Sequence, residues 1–200
     1  MLYYLLKTIL WPVLMLIFRP VVYGRENMRI KGKAIFVSNH RSLLDPIIIA
    51  LVSPRIVHFM AKMELFKSPI TNVLLRSFFA FPVNRKTADR ASLKNAMKVL
   101  EEGKVFGIFA EGKRSITEDL DEFEKGAAFL AIRAGAPVVP IYISADGYRR
   151  FHPKLMVGKP IHATDIVAST SKSALVDVVT DEIADSINAL KTEMEAIHCR

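Results

Sequence analysis

Cysteine is nearly absent from this 200-residue sequence, and acidic residues are scarce in its first half. The one cysteine, Cys199, excludes an internal disulfide and a multi-cysteine metal site, and this usage is typical of a reducing compartment. Residues 1–100 contain 16 Lys and Arg but only 4 Asp and Glu, whereas residues 101–200 contain 12 and 16. The sequence has no zinc-ligand spacing, RNP-like aromatic motif or long Lys/Arg run, so only the net charge of +8 points to nucleic acid.

Apolar residues, in contrast, are abundant: 51% of the residues are hydrophobic, and the mean hydropathy is +0.25. Residues 1–18 contain only Lys7 and Thr8 as clearly polar positions. This run lacks the layout of a secretory signal, and Lys7 and Pro12 make it a poor spanning helix. We therefore expect residues 1–22 to form an apolar helical membrane anchor, interfacial or re-entrant; a buried N-terminal helix and a single span are the alternatives. Basic residues follow, as expected beside an anionic leaflet: Arg19, Arg25, Arg29, Lys31 and Lys33.

The rest of the chain, residues 23–200, alternates between two patterns and contains no repeat or linker that would divide it. Short apolar runs predict buried strands at 34–38, 56–61, 104–109 and 137–143. Helical periodicity lies between and after them, at 69–79, 87–102, 124–134 and 173–197. This alternation predicts a single α/β domain with a mostly parallel central sheet flanked by helices.

A histidine and a carboxylate lie five positions apart at the end of the first of these strands. Residues 39–46 have the sequence Asn-His-Arg-Ser-Leu-Leu-Asp-Pro, and the residues that follow predict a helix packed on the sheet. His40 and Asp45 supply the groups of a general base: an imidazole, and an acid that orients it and stabilises its protonated form. No Ser or Cys stands out as a nucleophile, which favours direct deprotonation of a substrate. The structural alternative is that Asp45, before Pro46, only begins a helix.

Other polar groups also follow predicted strands. Arg85 follows the apolar run 81–83, and the strand at 104–109 leads into the turn at 111–114, whose Gly112 permits close approach to a ligand. Because ligands of open α/β sheets bind outside the carboxyl ends of the strands, we expect these groups to converge with His40. Arginine forks match phosphate oxygens, so the pattern predicts a substrate with both a hydroxyl and a phosphate.

These motifs together resemble a known family, the 1-acylglycerol-3-phosphate acyltransferases and their glycerolipid acyltransferase relatives. Residues 39–46 resemble the family's first block, H-x4-D, and residues 61–85 are similar to the stretch that leads into and includes the second. Residues 109–115 resemble the third block, F-P-E-G-T-R-S, and residues 138–141 the fourth, a V-P strand. The resemblance extends from about residue 22 to 143, with all four blocks in order.

The resemblance implies an enzyme in which His40 deprotonates the sn-2 hydroxyl of lysophosphatidic acid while Asp45 holds the imidazole tautomer and stabilises imidazolium. The oxygen then attacks an acyl thioester of acyl carrier protein or coenzyme A, giving phosphatidic acid. The thioester is a co-substrate, so no cofactor and no metal is expected. The implied partners are this donor and membrane lipids, not nucleic acid, and the implied location is the cytoplasmic face of a membrane.

The resemblance also implies a set of residues that bind the acceptor. Arg85 and Arg114 would bind its phosphate, and Glu111 would position it or support the arginines. Gly112 would let backbone N–H groups approach the phosphate or the developing oxyanion. Pro140 would shape the wall near the acyl chain.

The sequence departs from the family pattern at four positions. Ala80 replaces a glycine, Asn84 an aspartate, Ala110 a proline and Lys113 a threonine. Lys113 adds positive charge beside the expected phosphate, which fits a phosphorylated acceptor or indicates another headgroup. Two alternatives therefore stand beside lysophosphatidic acid acylation. One is the same chemistry on another lysophospholipid or glycerol phosphate, and the other is a non-catalytic basic module that binds membranes or nucleic acid.

Overall fold

The computed structural model describes residues 11–83, 90–112, 123–144, 152–167 and 174–198. Within these residues, seven strands form one sheet with helices on both faces. The strands are β1 (Val21–Tyr23), β2 (Ala34–Ser38), β3 (Val57–Lys62), β4 (Phe81–Val83), β5 (Val105–Phe109), β6 (Val138–Ile143) and β7 (Lys154–Val157). The helices are α1 (residues 11–18), α2 (Asp45–Val52), α3 (Pro69–Ser77), α4 (Arg90–Glu101), α5 (Gly126–Ala134), α6 (Ala163–Val167) and α7 (Leu175–His198). Two 3₁₀ turns cover Arg25–Met28 and Met63–Phe66.

The strand order is β1-β7-β6-β2-β5-β3-β4. The five strands β6, β2, β5, β3 and β4 run parallel to one another. β7 pairs antiparallel with β6, and the edge strand β1 pairs parallel with β7. The predicted α/β fold with a mostly parallel sheet is therefore confirmed. All four predicted strands are present within one residue of their predicted limits, β4 coincides with the apolar run 81–83, and β1 and β7 are additional short strands.

Both faces of the sheet are buried, as its apolar strands require. On β2, Ile35 and Val37 face one core, while Ala34 and Phe36 face the other, because successive side chains alternate. Helices α4, α5 and α7 cover the first face, and α1 and α2 cover the second. The face covered by α1 and α2 is the one relevant to the site.

Helix α1 packs only one side on this domain. Trp11, Leu14 and Phe18 contact the core on the α2 face, whereas Leu16 and Ile17 are exposed. Among the described residues, none of the helices combines the length and apolar character needed to cross a bilayer. Residues 1–10 lie outside the described residues, so the expected anchor and the boundary at residue 22 stay predictions.

A buried histidine on β3 makes stability depend on pH. His58 donates from Nδ1 to the carbonyl oxygen of Val105 at 3.2 Å, and its ring lies 5.2 Å from that of Phe79. Burial lowers the pKa of His58 from its ordinary value of 6.5, and the bond to Val105 offsets part of this effect. Below about pH 6.5, the unfolded chain therefore binds more protons at this position than the folded protein.

We expect the free energy of unfolding to decline as the pH falls from about 6.5 towards the lowered pKa of His58. In His58→Gln, whose amide can still donate to Val105, this decline should be smaller. Urea unfolding followed by circular dichroism at pH 7.5 and at mildly acid pH measures the difference. Identical pH dependence of the two proteins would show that His58 does not contribute to it.

Candidate active site

The site begins where the central strand β2 ends. The buried side chain of Asn39 continues the pairing with β6: its Nδ2 donates to the carbonyl oxygen of Ile143 at 3.0 Å, and Ile143 N–H donates to its Oδ1 at 2.8 Å. The side-chain amide therefore makes the two hydrogen bonds that the backbone of a strand residue would make. These bonds fix the direction in which the chain leaves the sheet. Sequence reasoning assigned Asn39 no role of its own, because the partner lies on another strand.

His40 and Asp45 are in direct contact, as the sequence predicted. Nδ1 of His40 lies 2.8 Å from Oδ2 of Asp45, and both residues are buried. The backbone N–H groups of Arg41 and Ser42 donate to the same oxygen at 2.6 and 2.8 Å. Asp45 is also the first residue of α2, where the helix dipole favours a negative charge. The N–H groups of the loop between His40 and Asp45 thus hold the carboxylate in one position, and the carboxylate in turn holds the loop.

The contact also determines which nitrogen of the imidazole is available. With Nδ1 facing the carboxylate, Nδ1 carries the proton and Nε2 keeps a lone pair. His40 is 7% exposed, so its ring is largely shielded from water. This arrangement is chemically suited to accept a proton at Nε2 and to stabilise the resulting imidazolium.

An aromatic ring supports the imidazole from one side. Phe109, the last residue of β5, stacks on His40 with the ring centroids 4.0 Å apart and 16° between the planes. Phe59 of β3 lies 5.9 Å from Phe109, nearly parallel to it. Sequence reasoning missed this support, although β5 and β2 were both predicted, because the register that places Phe109 beside Ser38 is visible only in the structure.

The turn after β5 also reaches His40. The backbone N–H of His40 donates to Oε1 of Glu111 at 3.2 Å, and Glu111 is buried. Gly112 has φ +61, and a Cβ at this position would collide with the carboxylate of Glu124. The turn therefore favours glycine for its backbone angle, and a side chain at this position would also have to displace the Glu124 carboxylate. The structure thus brings Glu111 to the His40–Asp45 pair.

Of the remaining predicted site residues, only Pro140 belongs to the described part of the chain. Arg85, Lys113 and Arg114 lie outside the described residues. Pro140 lies in β6 and lines a cavity of about 540 Å³ with residues of the α7 face, among them Leu190. His40 stacks on Phe109, which packs in the opposite core. Pro140 is therefore on the other face of the sheet from His40, and the predicted binding roles stay predictions.

Comparison with known proteins identifies the family. The family model described as Acyltransferase matches residues 19–144, which include every predicted site residue. The chain belongs to the acyltransferase family. A 1-acyl-sn-glycerol-3-phosphate acyltransferase of Bacillus subtilis is 29% identical over 88% of this chain and 90% of its own. One of Borreliella burgdorferi is 28% identical over 86% of this chain and 72% of its own.

A solved structure of the family is also similar. The 1-acyl-sn-glycerophosphate (LPA) acyltransferase PlsC from Thermotoga maritima superimposes with a TM-score of 0.68 at 25% identity. The superposition covers 90% of this chain and 79% of that one. The likeness therefore extends beyond the motif-bearing region to most of the chain.

The Asn39 contacts generate a prediction about how the His40 imidazole is positioned. Asn39→Ala removes both bonds to Ile143 and leaves two buried backbone groups without this partner, at a cost of about 1–3 kcal/mol each. We expect kcat for acyl transfer to fall about tenfold or more, with KM little changed, because the imidazole is displaced. Steady-state kinetics well below the unfolding temperature measure this.

Ile143→Val is the matched control, since it removes one buried methylene at the same strand end and keeps the backbone bonds to Asn39. It should lower stability modestly and leave kcat nearly unchanged. Full kcat in folded Asn39→Ala would mean that this amide joins β2 to β6 without positioning His40.

Proposed function

We propose that this protein is a 1-acylglycerol-3-phosphate O-acyltransferase, which transfers a fatty acyl group from an acyl thioester to the sn-2 hydroxyl of lysophosphatidic acid. The observation that carries the proposal is the 2.8 Å contact between His40 and Asp45 at the carboxyl end of β2, within a chain of the acyltransferase family. The names of the two curated relatives support the choice of acceptor.

In the proposed reaction, Nε2 of His40 takes the proton of the acceptor hydroxyl as its oxygen attacks the thioester carbonyl carbon. The tetrahedral intermediate collapses with cleavage of the carbon–sulfur bond, and the imidazolium returns the proton to the leaving thiolate. The products are phosphatidic acid and a free thiol, and His40 is regenerated. Asp45 stabilises the imidazolium and keeps Nδ1 protonated throughout.

The two serines nearest the base in the chain support direct transfer. Ser38 Oγ donates to the carbonyl oxygen of Asn39 at 2.9 Å, and Ser42 Oγ accepts from the N–H of Leu44 at 3.2 Å. Both hydroxyls thus form hydrogen bonds with nearby backbone groups. A single displacement on the substrate hydroxyl is therefore the simpler route for this site.

For the acceptor, we assign the phosphate to Arg85 and Arg114, with Lys113 adding charge. Glu111, through its bond to the backbone of His40, would link this phosphate-binding turn to the base. Gly112 would admit backbone donors, and the donor would be acyl carrier protein or coenzyme A thioester. Lys113 stands where the family commonly has threonine, which favours a second candidate, the same chemistry on another lysophospholipid or glycerol phosphate.

We also propose that the enzyme works on the cytoplasmic face of a membrane, where its lipid acceptor resides. The exposed side of α1, with Val13, Leu16 and Ile17, supports this, as does the basic first half of the chain.

His40→Ala should lower acyl transfer at least about 100-fold, because it removes the proposed base. Asp45→Asn should give a comparable loss, since an amide favours the wrong imidazole tautomer. The assay follows thiol release from a labelled acyl thioester with lysophosphatidic acid, and circular dichroism checks the fold. His162→Ala, on the opposite face of the sheet, is the control and should retain activity. Substantial activity in folded His40→Ala would contradict the base assignment and leave the non-catalytic alternative in place.

Arg114→Ala should raise KM for lysophosphatidic acid about tenfold or more, because it removes a charge-assisted contact to phosphate. Activity with monoacylglycerol, which has no phosphate, should change little. Arg133→Ala, an exposed arginine on α5, serves as the control for loss of positive charge. An equal loss with both acceptors would argue against a phosphate-binding role.

A further inference from the structure

Helix α3 has its apolar side turned away from the protein. Ile70, Val73 and Leu74 have the spacing of one helix face, and they are 79%, 57% and 44% exposed. Thr71 and Asn72, which are polar, are more buried than these three. An ordinary surface helix has the opposite arrangement, because its apolar stripe contributes to the core.

The 3₁₀ turn before α3 extends this apolar surface. Met63 and Leu65 in that turn are 44% and 43% exposed. Contiguous exposed apolar side chains of this kind mark a surface with a partner, whereas isolated ones do not. We call the five residues Met63, Leu65, Ile70, Val73 and Leu74 the α3 patch.

The charges around the α3 patch are mainly basic. Residues 62–76, which include the whole patch, contain three basic residues, Lys62, Lys67 and Arg76, and one acidic residue, Glu64, whose carboxylate lies 3.8 Å from the Lys62 ammonium. Arg76 is held over the ring of Phe66 at 5.9 Å and donates to Asn72, so its charge stays next to the patch. Apolar side chains bordered by cations are complementary to the anionic surface of a lipid bilayer.

The α3 patch lies at the same edge of the sheet as the base. Its 3₁₀ turn begins directly after β3, which runs parallel to β5 and hence to β2, so the turn follows the same strand ends as His40. Leu43, in the loop between His40 and Asp45, is 63% exposed. A membrane in contact with this edge would therefore meet the side of the protein on which a lipid enters.

We propose that the α3 patch is a second membrane-contact surface, which inserts shallowly into an anionic bilayer and presents the carboxyl edge of the sheet to it. The proposal rests on the proposed function, because it assumes that the acceptor arrives from a membrane. Helix α3 is about 14 Å long at about 1.5 Å per residue, so it lies in the interface and does not span. A second copy of the chain is a poorer occupant, since a two-fold contact would bring the basic borders of two patches together.

The test places a polarity-sensitive fluorophore on the patch. In a Cys199→Ser background, Val73→Cys is labelled and mixed with vesicles of phosphatidylcholine and phosphatidylglycerol. We expect a blue-shifted, brighter emission, and a much weaker change with phosphatidylcholine alone. Val178→Cys on α7 is the matched control, because it is also an exposed valine but lies on a helix of the other face; its label should stay in water.

Two results would overturn the proposal. One is a label at position 73 that remains in water while the protein sediments with the vesicles, or a protein that does not sediment at all. The other is a shift that appears without vesicles as the protein concentration rises, which would identify a second copy as the partner. Adding His40→Ala to the labelled protein should not change the emission shift. The experiment therefore distinguishes failure of the proposed acyl-transfer mechanism from failure of the proposed membrane contact at the α3 patch.

Discussion

The contact on which the site depends is the convergence of three donors on one oxygen of Asp45. Removing a carboxylate from water is costly unless donors replace its hydration. Here the imidazole of His40 and the backbone N–H groups of Arg41 and Ser42 meet Oδ2, and the start of α2 adds its dipole. The same contacts close the loop and set its shape. Burial of one carboxylate thus determines both the start of a helix and the orientation of the His40 imidazole.

That loop is attached to the sheet on both sides. β2 lies between β6 and β5, and the polar groups that leave its end have partners on each neighbour. Asn39 bonds to Ile143 at the end of β6, and His40 N–H bonds to Glu111 after β5. Phe109 fills the space against the imidazole. The imidazole is thus held on rigid elements, as its proposed role in proton transfer over hydrogen-bond distances would require.

The sequence was informative where a pattern is local and uninformative where partners are distant. The β2 strand and the His40–Asp45 contact follow from an apolar run and a five-residue spacing before Pro46. β1 and β7 have three and four residues, too few to show a period. The face on which Pro140 lies depends on register: it pairs with Val37, and His40 is three residues further along, where alternation places a side chain on the opposite face. The register between neighbouring strands could be determined only from the structure.

A lipid acceptor requires the protein to be oriented on the membrane, and tight binding to the membrane alone does not ensure this. Its chains stay in the bilayer while its hydroxyl and phosphate lie near the surface, so on the proposed function the base must come close to the membrane plane. His40 is only 7% exposed and follows β2 at the carboxyl edge of the sheet. A domain held by α1 alone could turn about that contact, whereas a second contact at the α3 patch restricts the rotation. The outward apolar side of α3 would then contribute to catalysis through orientation, because it reduces the freedom lost when the acceptor reaches Nε2 of His40.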